Sequence, residues 1–283
     1  MGYNAKAKRL SNDKPLRIMV IGAHPDDCDL RAGGVAALWA AAGHKVLFMA
    51  ATNGQSGHHC DGLSKVVQRR MGEAKAAAAV IGIESKVLPI PCGQMEPTLV
   101  NRWQFIRAIR EFAPDLILTH RPNDYHPDHR YTSQLVADSS YLVRVPYNAP
   151  EVPALDYSPI IAYVVDDFRK PLPFEPDVVI SIDDTIDKKM EMVHRHTSQM
   201  YEWVPWTEGT LDQVPKDEAG RKKFLWERWS CVSSSVADKY RKQLIARYGA
   251  RKGKAVKYAE AFEGCEYGAT LGPAEIARLF EGM

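Results

Sequence analysis

The chain has 283 residues, a net charge of +2, 45% hydrophobic and 25% charged residues. This is an ordinary globular composition, long enough for one large α/β domain. Lysine and arginine are spread along the chain, which argues against a nucleic-acid partner, and no apolar run reaches bilayer-spanning length.

The five cysteines, at 28, 60, 92, 231 and 265, are far apart and form no C-x-x-C pair. That pattern fits reduced thiols in a cytoplasmic protein rather than a disulfide framework or a zinc ribbon. Residues 1–15 are polar and basic, without the apolar core of a secretory signal, and are expected to form a flexible tail ahead of a single domain over 16–283.

In chain order, short apolar runs predict strands over 16–22, 45–50, 86–90 and 115–119. Between and after them, helices are predicted over 31–42, 64–81, 100–112 and 131–142; Gly43 and Gly82 stop two of them. Strand and helix thus alternate four times. This predicts a Rossmann-like, doubly wound, mostly parallel sheet with helices on both faces. The second half reads as an irregular elaboration. Strands are expected over 160–165 and 178–182, and a helix from Asp183 or Asp184 to about Met200. Residues 204–229, rich in Trp, Pro and charge, read as a cap or surface excursion. A helix over 234–248, a solvated basic loop over 251–257 and a short closing helix over 273–280 complete the chain.

Two loops stand out. The first strand runs into His24-Pro25-Asp26-Asp27, and the fourth into a stretch containing His120, Asp124, His126, Asp128 and His129. In the usual winding strands one and four are neighbours, and ligands bind in the crevice at their C-terminal ends. The first loop lacks the G-x-G-x-x-G of a phosphate turn. His24 and Asp27 can each present one ligand atom to a metal, and His126 or His129 can supply a third, leaving a coordination position open. A carboxylate that does not bind the metal can then take a proton from water.

These motifs resemble those of the LmbE/PIG-L family of metal-dependent de-N-acetylases: A-H-P-D-D ending at Asp27, and H-P-D-H from His126 to His129. Weaker matches are Thr52, Gly54 and Gly57 to a T-x-G-x-x-G loop; Arg70, Glu73 and Ala74 to R-x-x-E-A; His196, Ser198 and Gln199 to H-x-S-Q; and Glu260, Ala261 and Phe262 to E-A-F. The resemblance implies His24, Asp27 and His129 as ligands of Zn2+, with Fe2+, Mn2+ or Co2+ as alternatives. It implies Asp26 as general base, His126 as acid and oxyanion stabiliser, and Asp128 as the group that orients His126. It further implies Arg70 as a substrate contact, and His196 is a candidate substrate contact through its motif. His58, in the polar loop after the second strand, is a third candidate.

The activity so implied is hydrolysis of the amide of an N-acetylated small molecule, an amino sugar or sugar conjugate. One departure stands out: where the family commonly has Asp-Gly after the third strand, this chain has Cys92-Gly93, and a thiol cannot accept sugar hydroxyls as a carboxylate does. The alternatives are a metal-dependent hydratase acting on an unsaturated carboxylic acid, and a non-catalytic metal- or ligand-binding protein. A homo-oligomer is compatible with the sequence. His120 reads as structural or as a partner to a ligand. The aromatic residues Tyr201, Trp203, Trp206, Trp226 and Trp229 read first as packing and second as a sugar platform.

Overall fold

A computed structural model describes residue 10 and residues 14–283. Most of the tail expected over 1–15 lies outside the described residues. The first half alternates as anticipated: β1 (Arg17–Gly22), α1 (Asp27–Ala41), β2 (Lys45–Ala50), α2 (Leu63–Val80), β3 (Glu84–Val87), α3 (Leu99–Phe112), β4 (Leu116–Thr119) and α4 (Pro127–Leu142). Then follow β5 (Ile160–Val164), β6 (Val178–Ser181), α5 (Ile186–Arg195), a π-helical turn (Gln199–Trp203), α6 (Val204–Thr207), a 3-10 turn (Leu211–Gln213), α7 (Glu218–Lys239), α8 (Arg241–Ala255), β7 (Ala259–Gly264) and α9 (Pro273–Leu279).

The strands form one sheet in the order β3-β2-β1-β4-β5-β7-β6. The first five in that order run parallel, while β7 runs antiparallel to both β5 and β6. Both faces of β1, β2 and β4 are buried, so these strands read as apolar runs without alternation. In β1, Ile18 and Val20 join the core under α1 and α2, whereas Met19 and Ile21 join the core under α3 and α4. The order reverses between β1 and β4, and their C-terminal ends open side by side.

Four boundaries differ from expectation for physical reasons. α1 begins at Asp27, four residues early, because Asp27 and Asp29 in its first turn complement the helix dipole. α4 likewise begins at Pro127, with proline at the first helical position and His126 as N-cap. β3 ends at Val87 because Pro89 has no N–H for the ladder, although Leu88 and Ile90 stay buried. α5 starts after Thr185, since Asp183 is drawn to the backbone N–H groups of Lys257 and Tyr258 instead.

The stretch 204–229, read as a cap or surface excursion, contains α6 and half of the 22-residue α7, whose N-cap Asp217 accepts from Gly220 N at 2.8 Å. One expectation is overturned. The basic stretch 251–257 is helical as far as Ala255, following a break at Gly249 with φ of 79°. β7, with Glu260 as its second residue, had no strand pattern to announce it. No described helix is long and apolar enough to cross a membrane.

Candidate metal centre

Because α1 starts at Asp27 directly behind β1, and α4 at Pro127 behind β4, both motif loops are pinned at helix N-termini over adjacent strand ends. Three atoms converge there. His24 Nδ1 lies 3.2 Å from His129 Nε2, and Asp27 Oδ2 is 3.5 Å from each of them. A tetrahedral ion with bonds of about 2.0–2.2 Å holds its ligand atoms about 3.3–3.5 Å apart, so the spacing and the N, N, O donor set fit a divalent cation. Of the two histidines left open by spacing, it is His129 that reaches this point.

Each of these groups is backed by another. His24 Nε2 lies 3.3 Å from Asp128 Oδ2. His129 Nδ1 is 3.1 Å from Asp124 Oδ2, at an angle poor for a hydrogen bond. His120 Nε2 is 3.2 Å from Asp27 Oδ2 and accepts from Ala23 N at 3.0 Å. Such outer partners fix ring orientation and raise ligand basicity. The charges respond accordingly. Burial pushes the His24 imidazole down, but hydrogen bonds to Asp128 and Asp27 outweigh it and leave its pKa well above the ordinary value. Burial pushes Asp27 up, but the His129 and His120 charges win and hold its carboxyl well below the usual range. The site therefore presents an ionised carboxylate between imidazoles.

Asp128 is a correction to the expected roles. Its Oδ2 takes the Gly93 N–H at 2.7 Å and faces His24, so its carboxylate orients a ligand and acts on His126 through charge alone. His126 is oriented by the backbone instead: its Nδ1 accepts from Asp128 N at 3.1 Å, capping α4. With Nδ1 accepting, a neutral His126 carries its proton on Nε2. Burial and the nearby His24 and His129 hold its pKa below the ordinary value, which favours that neutral form.

A cleft of about 330 Å³ opens over these groups. Its walls include Asp26, Arg31, Arg70, Cys92, His126 and Trp203. Asp26 Oδ1 is 2.7 Å from Arg70 Nη2. Arg70 is itself only 2% exposed, wrapped by the loop after β2. A Cβ on Gly54 would sit 2.6 Å from Arg70 Nη1, and one on Gly57 2.9 Å from it. The T-x-G-x-x-G spacing is thus a sleeve for a guanidinium, and Gly54, with φ of +68°, also needs its glycine conformationally.

Arg70, expected as a substrate contact, is thus turned to Asp26 and the glycine loop, and the other two expected contacts lie outside the cleft lining. His196 is fully buried, with Nε2 3.0 Å from Asp29 Oδ2, and does not line the cleft. It belongs to a strap. Glu73 on α2 accepts from Ser198 N at 2.8 Å and Ser198 Oγ at 2.6 Å, and Gln199 Nε2 donates to Gly57 O at 2.9 Å. The H-x-S-Q segment therefore ties α1, α2 and the glycine loop together. His58 also lies outside the cleft lining; its Nε2 is 2.8 Å from Glu202 Oε2, which Arg69 shares. The aromatic residues divide. Trp203 and Trp229 line the cleft, Tyr201 is buried against His194, Trp226 packs on Tyr258, and Trp206 stacks between His59 and Trp203. Sequence reading missed Asp124 as a partner to a ligand and Arg31 as a cleft residue. Their only signals were position: Asp124 beside the second motif, and Arg31 one helical turn beyond Asp27.

Fold and site together define a doubly wound α/β protein with a two-histidine, one-carboxylate cluster in its switch-point crevice. Residues 19–140 match the PIG-L family model, described as GlcNAc-PI de-N-acetylase. It is 27% identical over 241 residues to a diacetylchitobiose deacetylase of Thermococcus kodakarensis, covering 82% of this chain and 80% of that protein. It is 22% identical over 218 residues to a 4-oxalmesaconate hydratase of Pseudomonas putida, covering 74% of this chain and 84% of that one. In fold it resembles the N,N'-diacetylchitobiose deacetylase of Pyrococcus horikoshii, solved with an inhibitor, with a TM-score of 0.66 at 20% identity over 88% of this chain and 83% of that one.

Proposed function

We propose that the protein is a metal-dependent amidohydrolase that removes an acetyl group from an N-acetylated small molecule, an amino sugar or sugar conjugate. The observation that carries this is the convergence of His24 Nδ1, Asp27 Oδ2 and His129 Nε2 in a cleft that also contains Asp26 and His126. The deacetylase likeness supports the same reading. A divalent ion held by the three ligands, zinc being the first candidate, supplies Lewis acidity toward the amide oxygen and toward water.

The chain's own groups do the remainder. Asp26 binds no ligand position, and Arg70 fixes its carboxylate; it takes the proton from the attacking water and passes it to the leaving nitrogen. His126, protonated on Nε2, hydrogen-bonds through that N–H to the oxyanion formed as the carbonyl becomes tetrahedral and keeps its proton. This assigns His126 to charge stabilisation and Asp26 to both proton transfers. Arg70 is a positioning residue, its guanidinium engaged by Asp26 and the Gly54 carbonyl. The test is acetate release from a panel of N-acetylated sugars and conjugates. Asp26→Asn should lower turnover by about a hundredfold or more while metal content, read by elemental analysis, stays the same. Intact turnover in that variant would sink the assignment.

A second reading has specific support. Cys92 occupies a cleft wall where a carboxylate would suit sugar hydroxyls, and one relative is a hydratase. The same base and cleft could then add water to an unsaturated carboxylic acid. Loss of ultraviolet absorbance from an enoate, without acetate release from any amide, would select it.

A further inference from the structure

The cleft contains two arginines in opposite circumstances. Arg70 is neutralised by Asp26 at 2.7 Å. Arg31 is not neutralised: among the described residues no carboxylate lies within ion-pair distance of it, and its one hydrogen bond runs from Nη1 to Val165 O at a long 3.3 Å. The nearby Asp166 is already engaged, with Oδ1 3.1 Å from Arg121 Nη1 and accepting from Phe168 N at 3.0 Å. A guanidinium offers five donors in a planar fork, so most of the Arg31 donors have no protein acceptor. Arg31 is also placed for ligand contact. It follows Asp27 by four residues on α1, and positions i and i+4 share a helix face. Both residues line the same cleft, where Trp203 and Trp229 add apolar wall. A half-buried, unpaired cation costs free energy unless something anionic meets it.

We propose that Arg31 is a specificity-determining residue that receives an oxyanion group of the substrate, a carboxylate or a phosphate, beside the metal centre. The substrate class is then an anionic N-acetyl conjugate rather than a neutral acetamido sugar. This rests on the hydrolase reading above, but its own signature is selectivity for charge, which can be measured without turnover.

The experiment uses the purified full-length protein and three probes: the methyl glycoside of N-acetylglucosamine, the same sugar joined through its anomeric oxygen to glycolic acid, and N-acetylglucosamine 1-phosphate. Binding is measured by calorimetry before and after chelation of metal, in wild type, Arg31→Gln and Arg31→Lys. Wild type should bind one of the anionic probes about tenfold or more tightly than the neutral one, the scale of a charged hydrogen bond. Which one it prefers identifies the oxyanion. Arg31→Gln should erase the preference while leaving affinity for the neutral probe unchanged, and Arg31→Lys should keep part of it. A wild type without preference for either anion, or a Gln variant that retains the preference, overturns the proposal. Acetate release is scored separately: charge selectivity without acetate from any probe would remove the hydrolase reading and leave Arg31 in place.

Discussion

At the scale of single residues, the chemistry of the centre is set by what stands behind the ligands. Asp128 and Asp124 face the outward nitrogens of His24 and His129. Against the upward push of burial, hydrogen bonding holds Asp128 below the ordinary carboxylate range, and the His129 charge at 3.1 Å does the same for Asp124. Both are therefore anionic at neutral pH and polarise the imidazoles toward a cation. Removing either charge by Asp128→Asn or Asp124→Asn should weaken metal affinity by about 10–100-fold. Competition with a chromophoric chelator measures this directly, and unchanged affinity in both variants would mean that the ion sits elsewhere. The ligands were legible in the sequence because each motif ends a strand. Their partners were not, because Asp124 and Asp128 are equivalent on paper. Only the turn of α4, which points Asp128 back at His24 and gives the His126 cap its backbone donor, separates them.

At the scale of elements, the strap between α5 and the π-helical turn explains motifs that do no chemistry. Glu73 accepts three hydrogen bonds from Thr197 and Ser198, one of them from a backbone N–H. Glu73→Ala would leave those donors without their acceptor, at a cost of about 1–3 kcal/mol. The midpoint of urea unfolding should fall accordingly, with the slope unchanged. The strap also seats Gln199 on the glycine loop that sleeves Arg70, so the same variant should lose activity in excess of its lost stability. A variant of wild-type stability and activity would reduce the strap to coincidence. The alternation of β1 to α4 was readable because β1, β2 and β4 are buried on both faces and stand out as apolar runs. α7 was not, because its buried stripe of Leu225, Ser233, Val236 and Ala237 is sparse and interrupted by charge and tryptophan on the other faces.

At the scale of the whole molecule, the antiparallel insertion of β7 joins the C-terminal elaboration to the helix that carries Asp27. Glu260, the second residue of β7, is 2% exposed. It accepts from Gly34 N at 3.0 Å and Val35 N at 2.8 Å on α1, and pairs with Lys189 Nζ of α5 at 2.8 Å. Gly34 is needed there because a Cβ would meet Ile182 at 2.7 Å. A buried carboxylate within a strand is unfavourable by propensity, which is why sequence pattern passed over β7; here three donors from two helices make the position tenable. Lys189 is equally enclosed and donates also to Ser233 of α7 at 3.1 Å, so one ion pair couples α1, α5, α7 and β7. Taking away the cation alone strands the anion. Lys189→Met should therefore destabilise the fold by about 3–5 kcal/mol, far more than an exposed lysine would. Since α1 is the element displaced, the loss should be partly recovered when a divalent metal is added, because an ion binding only the folded chain stabilises it by mass action. Thermal unfolding of the variant with and without metal tests both halves. A melting temperature equal to wild type would show that the pair contributes nothing to joining the two ends of the sheet.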